Sequence, residues 1–309
     1  MPRCRWMFVM LATALFSGAC HAAAQEAYSC RARAQGADPV ATIETTLGGV
    51  PAILRVPKTI AKAPIVLWHG FGPPASERAL AEALPLDDVP AVKVYLGLPL
   101  FGKRAEAGGV EALKKRQTTD FASLVFEPVV VGAAEELPAV VKALQSMDCM
   151  KRGEKIGVFG FSGGGAAALL ALADRSVPIG SAVVLNASTG LSASIDAYEH
   201  AIGKPYSWTK ASRKLALRTD APGRARDIAA GHPQPALLIV QGTADDMLKP
   251  ELATALDDAL RPLYAKNPER LRLTLAKGMS HNVTETSSIG DLRAWVGDWF
   301  NRYLDPVSG

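Results

Sequence analysis

Gly160-Phe161-Ser162-Gly163-Gly164 is the segment of this 309-residue chain whose residue types and spacing point most directly to chemistry. It follows an apolar run at 155–159 and precedes an Ala- and Leu-rich run at 163–173, so Ser162 is predicted on a strand-to-helix turn. A turn that sharp needs small residues on both sides. It lifts the hydroxyl clear of the sheet edge, and the helix N-terminus beneath favours negative charge beside it. Two other uses of a Gly-rich turn fail on residue type. The dinucleotide fingerprint needs glycine where Ser162 stands, and the Lys-Ser or Lys-Thr ending of a Walker A loop is absent.

A serine is a poor nucleophile until a base takes its proton and an acid orients that base. The histidines after residue 24 are His69, His200, His232 and His281. His281 lies in Gly278-Met279-Ser280-His281-Asn282, just past the predicted strand 271–275, where a strand-end loop can carry a reactive group. His232 precedes a strand, and His69 is followed by Gly70, which suits a turn. His200 is the rival base. The acid is expected between serine and histidine in chain order. The run 236–240 is followed by Gln241-Gly242-Thr243-Ala244-Asp245-Asp246, in which two acids compete.

These segments need a scaffold that brings strand ends together. Short apolar runs without alternation at 64–68, 92–96, 181–185 and 236–240 predict strands buried on both faces, and 155–159 and 271–275 also read as strands. Helical patterns fall at 129–144, 163–173, 250–264 and 289–303. The runs 42–47 and 50–56, joined by Gly48-Gly49, predict a hairpin. Alternation of strands and helices specifies an α/β fold with a mostly parallel central sheet, helices on both faces and an antiparallel N-terminal hairpin. No linker interrupts it, so residues 25–309 are expected to form a single domain. Residues 188–234 stand apart, with seven Lys or Arg against four Asp or Glu and no clear buried strand. They predict either a small cap over the C-terminal edge of the sheet or an ordinary crossover helix with a long loop.

The blocks around Ser162, Asp245 and His281, in that order, resemble the three signature segments of the α/β-hydrolase superfamily. The resemblance runs from about residue 50 to the C-terminus. It is nearest to the small esterases of the dienelactone-hydrolase and prolyl-oligopeptidase-like branch. It implies Ser162 as nucleophile, His281 as base and Asp245, three residues after Gly242, as the acid. The branch often has proline four residues after the acid, where this chain has Lys249 and then Pro250. Serine rather than cysteine at 162 argues against dienelactone chemistry itself. The resemblance also implies an oxyanion hole from the backbone N–H groups of Phe71, after His69-Gly70, and of Gly163. Phe71, Phe161, Met247 and Met279 flank these positions and are candidates for an apolar acyl pocket.

The expected reaction is cleavage of a small-molecule carboxylic ester through an acyl-enzyme. A peptidase or amidase, or an acyltransferase, would use the same triad, and a non-catalytic scaffold on this fold would be expected to lack a triad member. This chemistry calls for no metal or organic cofactor, and neither an H-E-x-x-H segment nor a Cys/His cluster is present.

Composition bounds the remaining possibilities. At 49% hydrophobic and 21% charged the chain is globular in character, and a net charge of +4 gives no reason to expect a nucleic-acid partner. Residues 1–24 read as a secretory signal peptide: Arg3 and Arg5, an uncharged stretch from 6 to 19 too short to span a bilayer, then Ala22 and Ala24 as the cleavage signal before Gln25. The chain is therefore expected to be exported, to the periplasm or the medium, without a stable membrane span. A lipoprotein anchored at Cys20 is the alternative, though Ser17 stands where a large aliphatic residue belongs. Export leaves Cys30 and Cys149 as an even pair, candidates for a disulfide; two unpaired buried thiols are the alternative.

Overall fold

The computed structural model describes residues 29–285 and 289–307. The expected signal peptide, its expected cleavage site and Cys20 lie outside the described residues. Eight strands form one sheet: β1 (Val40–Leu47), β2 (Val50–Pro57), β3 (Lys62–Trp68), β4 (Ala91–Leu96), β5 (Ile156–Phe161), β6 (Ile179–Leu185), β7 (Ala236–Gly242) and β8 (Leu271–Ala276). Their spatial order is β1-β2-β4-β3-β5-β6-β7-β8. The β1/β2 hairpin and the β2/β4 pair are antiparallel, and every pairing from β4 through β3 to β8 is parallel. This is the mostly parallel sheet with an antiparallel N-terminal hairpin expected from the sequence.

The unalternating runs are explained by burial on both faces. Val66 and Trp68 of β3 join one core layer, while Ile65 and Leu67 join the other. Ala182 and Val184 of β6 divide from Val183 and Leu185 in the same way. Helices Gly132–Ser146, Gly163–Asp174 and Pro250–Leu260 cover the first layer, and Glu77–Ala83 and Ile289–Tyr303 cover the second. Pro250 is the first residue of its helix, where a proline lacks nothing that the helix needs. Register brings Gly160, Leu185, Val240 and Ala276 to one edge of the sheet, so the loops after β5, β6, β7 and β8 meet there.

Three features depart from the sequence expectation. The helix expected from residue 129 is preceded by a helical stretch that begins far earlier. Gly109–Phe121 leads through a kink at Asp120 (φ −161°, ψ 98°) into a π-helical segment, Ala122–Val131, which runs into Gly132–Ser146. Helix Glu77–Ala83, capped by the Ser76 hydroxyl accepting from the Ala79 N–H, had no counterpart in the predicted elements. The region 188–234 contains three helices, Leu191–Ile202, Lys210–Thr219 and Ala225–Ile228. Cys30 and Cys149 form a disulfide, 119 residues apart in sequence, at the end of the sheet opposite the loop cluster. Among the described residues no helix is long and apolar enough to cross a membrane.

Lys93 of β4 is fully buried, and its ammonium donates to the Val89 carbonyl at 3.1 Å. Burial lowers its pKa to about 8. A drop of that size costs the folded state on the order of 3 kcal/mol at neutral pH. The cost is relieved as pH rises from about 8, where the folded lysine loses its proton, to about 10.4, where the unfolded one does. Val89 O keeps a second donor, the Ala91 N–H at 2.8 Å, when the ammonium is removed. Lys93→Met is therefore expected to raise the thermal midpoint at pH 7 by about 3–5 °C, with the gain shrinking toward pH 10. A lowered midpoint at pH 7 would refute this.

Candidate active site

Ser162 sits between β5 and helix Gly163–Asp174 with φ +55° and ψ −118°, a conformation that costs about 1–3 kcal/mol unless its surroundings enforce it. They do. Its N–H donates to Leu185 O at 3.0 Å, and its carbonyl accepts from the N–H groups of Gly165, Ala166 and Ser188. The flanking glycines are required by close approach. A Cβ on Gly160 would collide with the Gly164 carbonyl, and one on Gly164 would collide with the His69 carbonyl.

The loop after β8 brings His281 to this hydroxyl. His281 Nε2 lies 3.1 Å from Ser162 Oγ, and Nδ1 lies 2.8 Å from Asp245 Oδ2. A carboxylate can only accept, so Nδ1 carries the proton and Nε2 is left as acceptor for the serine hydroxyl. Asp245 is buried, and its other oxygen accepts from the Met247 and Leu248 N–H groups at 3.0 and 2.8 Å. The Gln241 side-chain amide donates to Oδ2 at 3.3 Å. Asp246 is exposed to solvent. Of the two competing acids, Asp245 alone faces the imidazole. His200 is exposed near the end of helix Leu191–Ile202, away from this arrangement.

Asn186 and Gln241 went unrecognised in the sequence. Asn186, fully buried at the end of β6, accepts from the Gly242 N–H at 2.8 Å and donates to the Ser280 carbonyl at 3.0 Å. It thereby ties the acid loop to the histidine loop. The available signal was a polar side chain directly after an apolar stretch, Asn186 after 182–185 and Gln241 after 236–240.

His69 has a structural place. It is fully buried, its Nδ1–H donates to Gly70 O at 2.7 Å, and Nε2 accepts from the Leu98 N–H at 3.1 Å. Burial lowers its pKa to about 4, so it stays neutral and holds the loop that carries Phe71. The Phe71 ring stacks on Phe101 at 5.3 Å and lies against Gly163. Gly163 is the first residue of its helix, and its N–H has no intrahelical acceptor.

A cavity of about 290 Å³ opens on Ser162 and His281. Its walls include Phe71, Phe121, Ala197, Tyr198, Ala201 and Met247. Of the four residues expected in an acyl pocket, Phe71 and Met247 line it. Phe161 and Met279 do not. Phe161 belongs to β5 and faces the core layer beneath the site, where its ring lies 5.3 Å from that of His281. Met279 turns its side chain into the same layer while its carbonyl accepts from the Ala244 N–H. The missing walls come from two segments: helix Leu191–Ile202 of the 188–234 region, and helix Gly109–Phe121, which contributes Gln117 and Phe121. Among the described residues no three His, Cys, Asp or Glu side chains converge as a metal-ligand set.

The model of the prolyl oligopeptidase family matches residues 131–306. Among solved structures, TT1662 from Thermus thermophilus aligns over 84% of this chain and 98% of its own, with a TM-score of 0.62 and 20% identity. The esterase Pf2001 of Pyrococcus furiosus aligns over 86% and 91%, with a TM-score of 0.58 and 16% identity. Carboxyl esterase 2 of the fungus Tuber melanosporum aligns over 88% and 90%, with a TM-score of 0.57 and 19% identity. At these identities the likeness is one of fold. Comparison with curated protein sequences gives no match.

Proposed function

We propose that this serine hydrolase, which belongs to the prolyl oligopeptidase family, cleaves carboxylic esters of small molecules through an acyl-enzyme formed on Ser162. One observation carries the reading: the strained Ser162 has its hydroxyl 3.1 Å from His281 Nε2, and His281 Nδ1 is 2.8 Å from the buried Asp245. His281 takes the hydroxyl proton as Ser162 Oγ attacks the acyl carbonyl. The carbonyl oxygen becomes negative and accepts from the N–H groups of Phe71 and Gly163, an interaction worth on the order of 3–4 kcal/mol per donor in such sites. Asp245 holds the imidazole in the required tautomer and stabilises its protonated form. The proton then passes to the leaving alkoxide. Water, deprotonated by the same nitrogen, attacks the acyl-enzyme and releases the acid and Ser162. Helix Leu191–Ile202, as the wall opposite the nucleophile, serves as a small cap over the site.

The ester reading is favoured by the mostly apolar walls of the cavity and by the esterases among the structural neighbours. The family also contains peptidases, and the same triad attacks amides. The two readings separate on a panel of p-nitrophenyl esters from acetate to long chains beside a p-nitroanilide peptide. Ester kcat/KM is expected to exceed that of the anilide at the best acyl length. Anilide turnover above every ester would make the protein a peptidase. The disulfide and the signal-peptide-like pattern of residues 1–24 support a site of action outside the cytoplasm, in the periplasm or the medium.

A further inference from the structure

Two buried hydroxyls lie in the mostly apolar cavity without a part in the triad. Ser188 and Ser194 both line it, and both are more than nine-tenths buried. Ser188 follows the nucleophile closely in space, its N–H donating to the Ser162 carbonyl at 3.2 Å. Its hydroxyl donates to the Gly190 carbonyl at 2.8 Å and accepts from the Gly190 N–H at 3.3 Å. The two hydroxyl oxygens are 2.7 Å apart. Each hydroxyl has one hydrogen. With that of Ser188 given to Gly190 O, the hydrogen of Ser194 goes to Ser188 Oγ. The Ser194 oxygen then holds lone pairs that no donor among the described residues fills. Gln117, on the facing helix, also lines the cavity. Its backbone carbonyl accepts from the Tyr198 hydroxyl at 2.9 Å, while its side-chain amide makes no hydrogen bond among the described residues.

We infer that the cavity selects an acyl group bearing a hydrogen-bond donor, a hydroxyl or an amide N–H a few bonds from the carbonyl, received by Ser194 Oγ and the Gln117 carboxamide. The inference rests on the ester-hydrolase reading and narrows its substrate class. A purely aliphatic acyl chain would displace water from Ser194 and Gln117 and return no hydrogen bond, and a site built for a hydroxyl penalises the analogue that lacks one. A donor-bearing chain meets the lone pairs in their resting arrangement, with no rotation of either serine.

The test compares p-nitrophenyl butyrate, p-nitrophenyl β-hydroxybutyrate and the p-nitrophenyl ester of N-acetylglycine. The hydroxyacyl or the acylamino ester is expected to exceed butyrate in kcat/KM by about tenfold, and whichever leads identifies the donor. Ser194→Ala should collapse that ratio toward one, mainly through KM, and Ser194→Thr should restore it. Loss of a merely structural hydroxyl would lower all three esters together and leave the ratio intact. Gln117→Leu makes the same comparison from the opposite wall should Ser194→Ala fail to fold. Butyrate equal to or better than both donor-bearing esters overturns the inference while sustaining the esterase. Silence on all three esters overturns the esterase reading instead. Calorimetry of the free acids on the intact protein then decides the inference, and butyrate binding as tightly as β-hydroxybutyrate and N-acetylglycine sinks it.

Discussion

Asp245→Asn is expected to lower kcat on p-nitrophenyl esters by about 10⁴-fold, with the fold intact. The size follows from which oxygen becomes nitrogen. Oδ1 accepts two backbone N–H groups, from Met247 and Leu248, so the carboxamide oxygen must occupy that position. The amide nitrogen then replaces Oδ2, facing His281 Nδ1 and the donor of Gln241. A donor there forces the imidazole to place its proton on Nε2, which can no longer receive the proton of Ser162. Asp246→Asn changes an exposed side chain and should alter kcat by less than about twofold. Steady-state kinetics and circular dichroism on the two variants check the pair. A large loss from Asp246→Asn with Asp245→Asn near wild type would contradict the assignment.

Replacing both cysteines of the Cys30–Cys149 bridge by serine is expected to cost the largest amount of stability of any single cross-link change. In the chain-entropy picture a bridge across a loop this long is worth about 5 kcal/mol as an upper figure. The bridge ties helix Cys30–Ala34, which also donates the Cys30 N–H to Met147 O, to the end of helix Gly132–Ser146. That is the far edge of the sheet from Ser162. The denaturant midpoint should fall strongly, while kcat of the protein that remains folded stays near wild type. An unchanged midpoint would mean that the unfolded chain gains little freedom when the bridge is cut.

The parts of this fold that were legible are those in which local chemistry and local structure coincide. Gly160, Ser162 and Gly164 could be read together because the turn that exposes the hydroxyl tolerates no Cβ at either glycine. The strands could be read because burial on both faces leaves an unbroken apolar run, as at 236–240. Helix Gly109–Phe121 could not. Its residues are mostly polar, only Phe121 is buried, and it carries no apolar stripe to betray it. The choice between Asp245 and Asp246 was open on residue type; in the structure the loop turns Asp245 inward and leaves Asp246 exposed. Phe161 and Met279 were misplaced for a related reason. Nearness in sequence to a catalytic position says nothing of the face, and the pleat directs Phe161 to the layer beneath the site. The pocket walls from Ala197, Tyr198 and Phe121 are long-range contacts, which no local pattern encodes.

The proposed chemistry turns on Ser162 acting as the nucleophile of an ester hydrolase. The most direct measurement treats the wild-type protein and Ser162→Ala with a fluorophosphonate, maps the modified residue by mass spectrometry, and follows p-nitrophenyl ester turnover in parallel. Wild-type protein should be labelled on Ser162 alone and lose its turnover as labelling proceeds. Ser162→Ala should resist the label and retain about 10⁻⁶ of wild-type kcat. Ester turnover that survives in Ser162→Ala, or a label carried by another residue, would contradict the account.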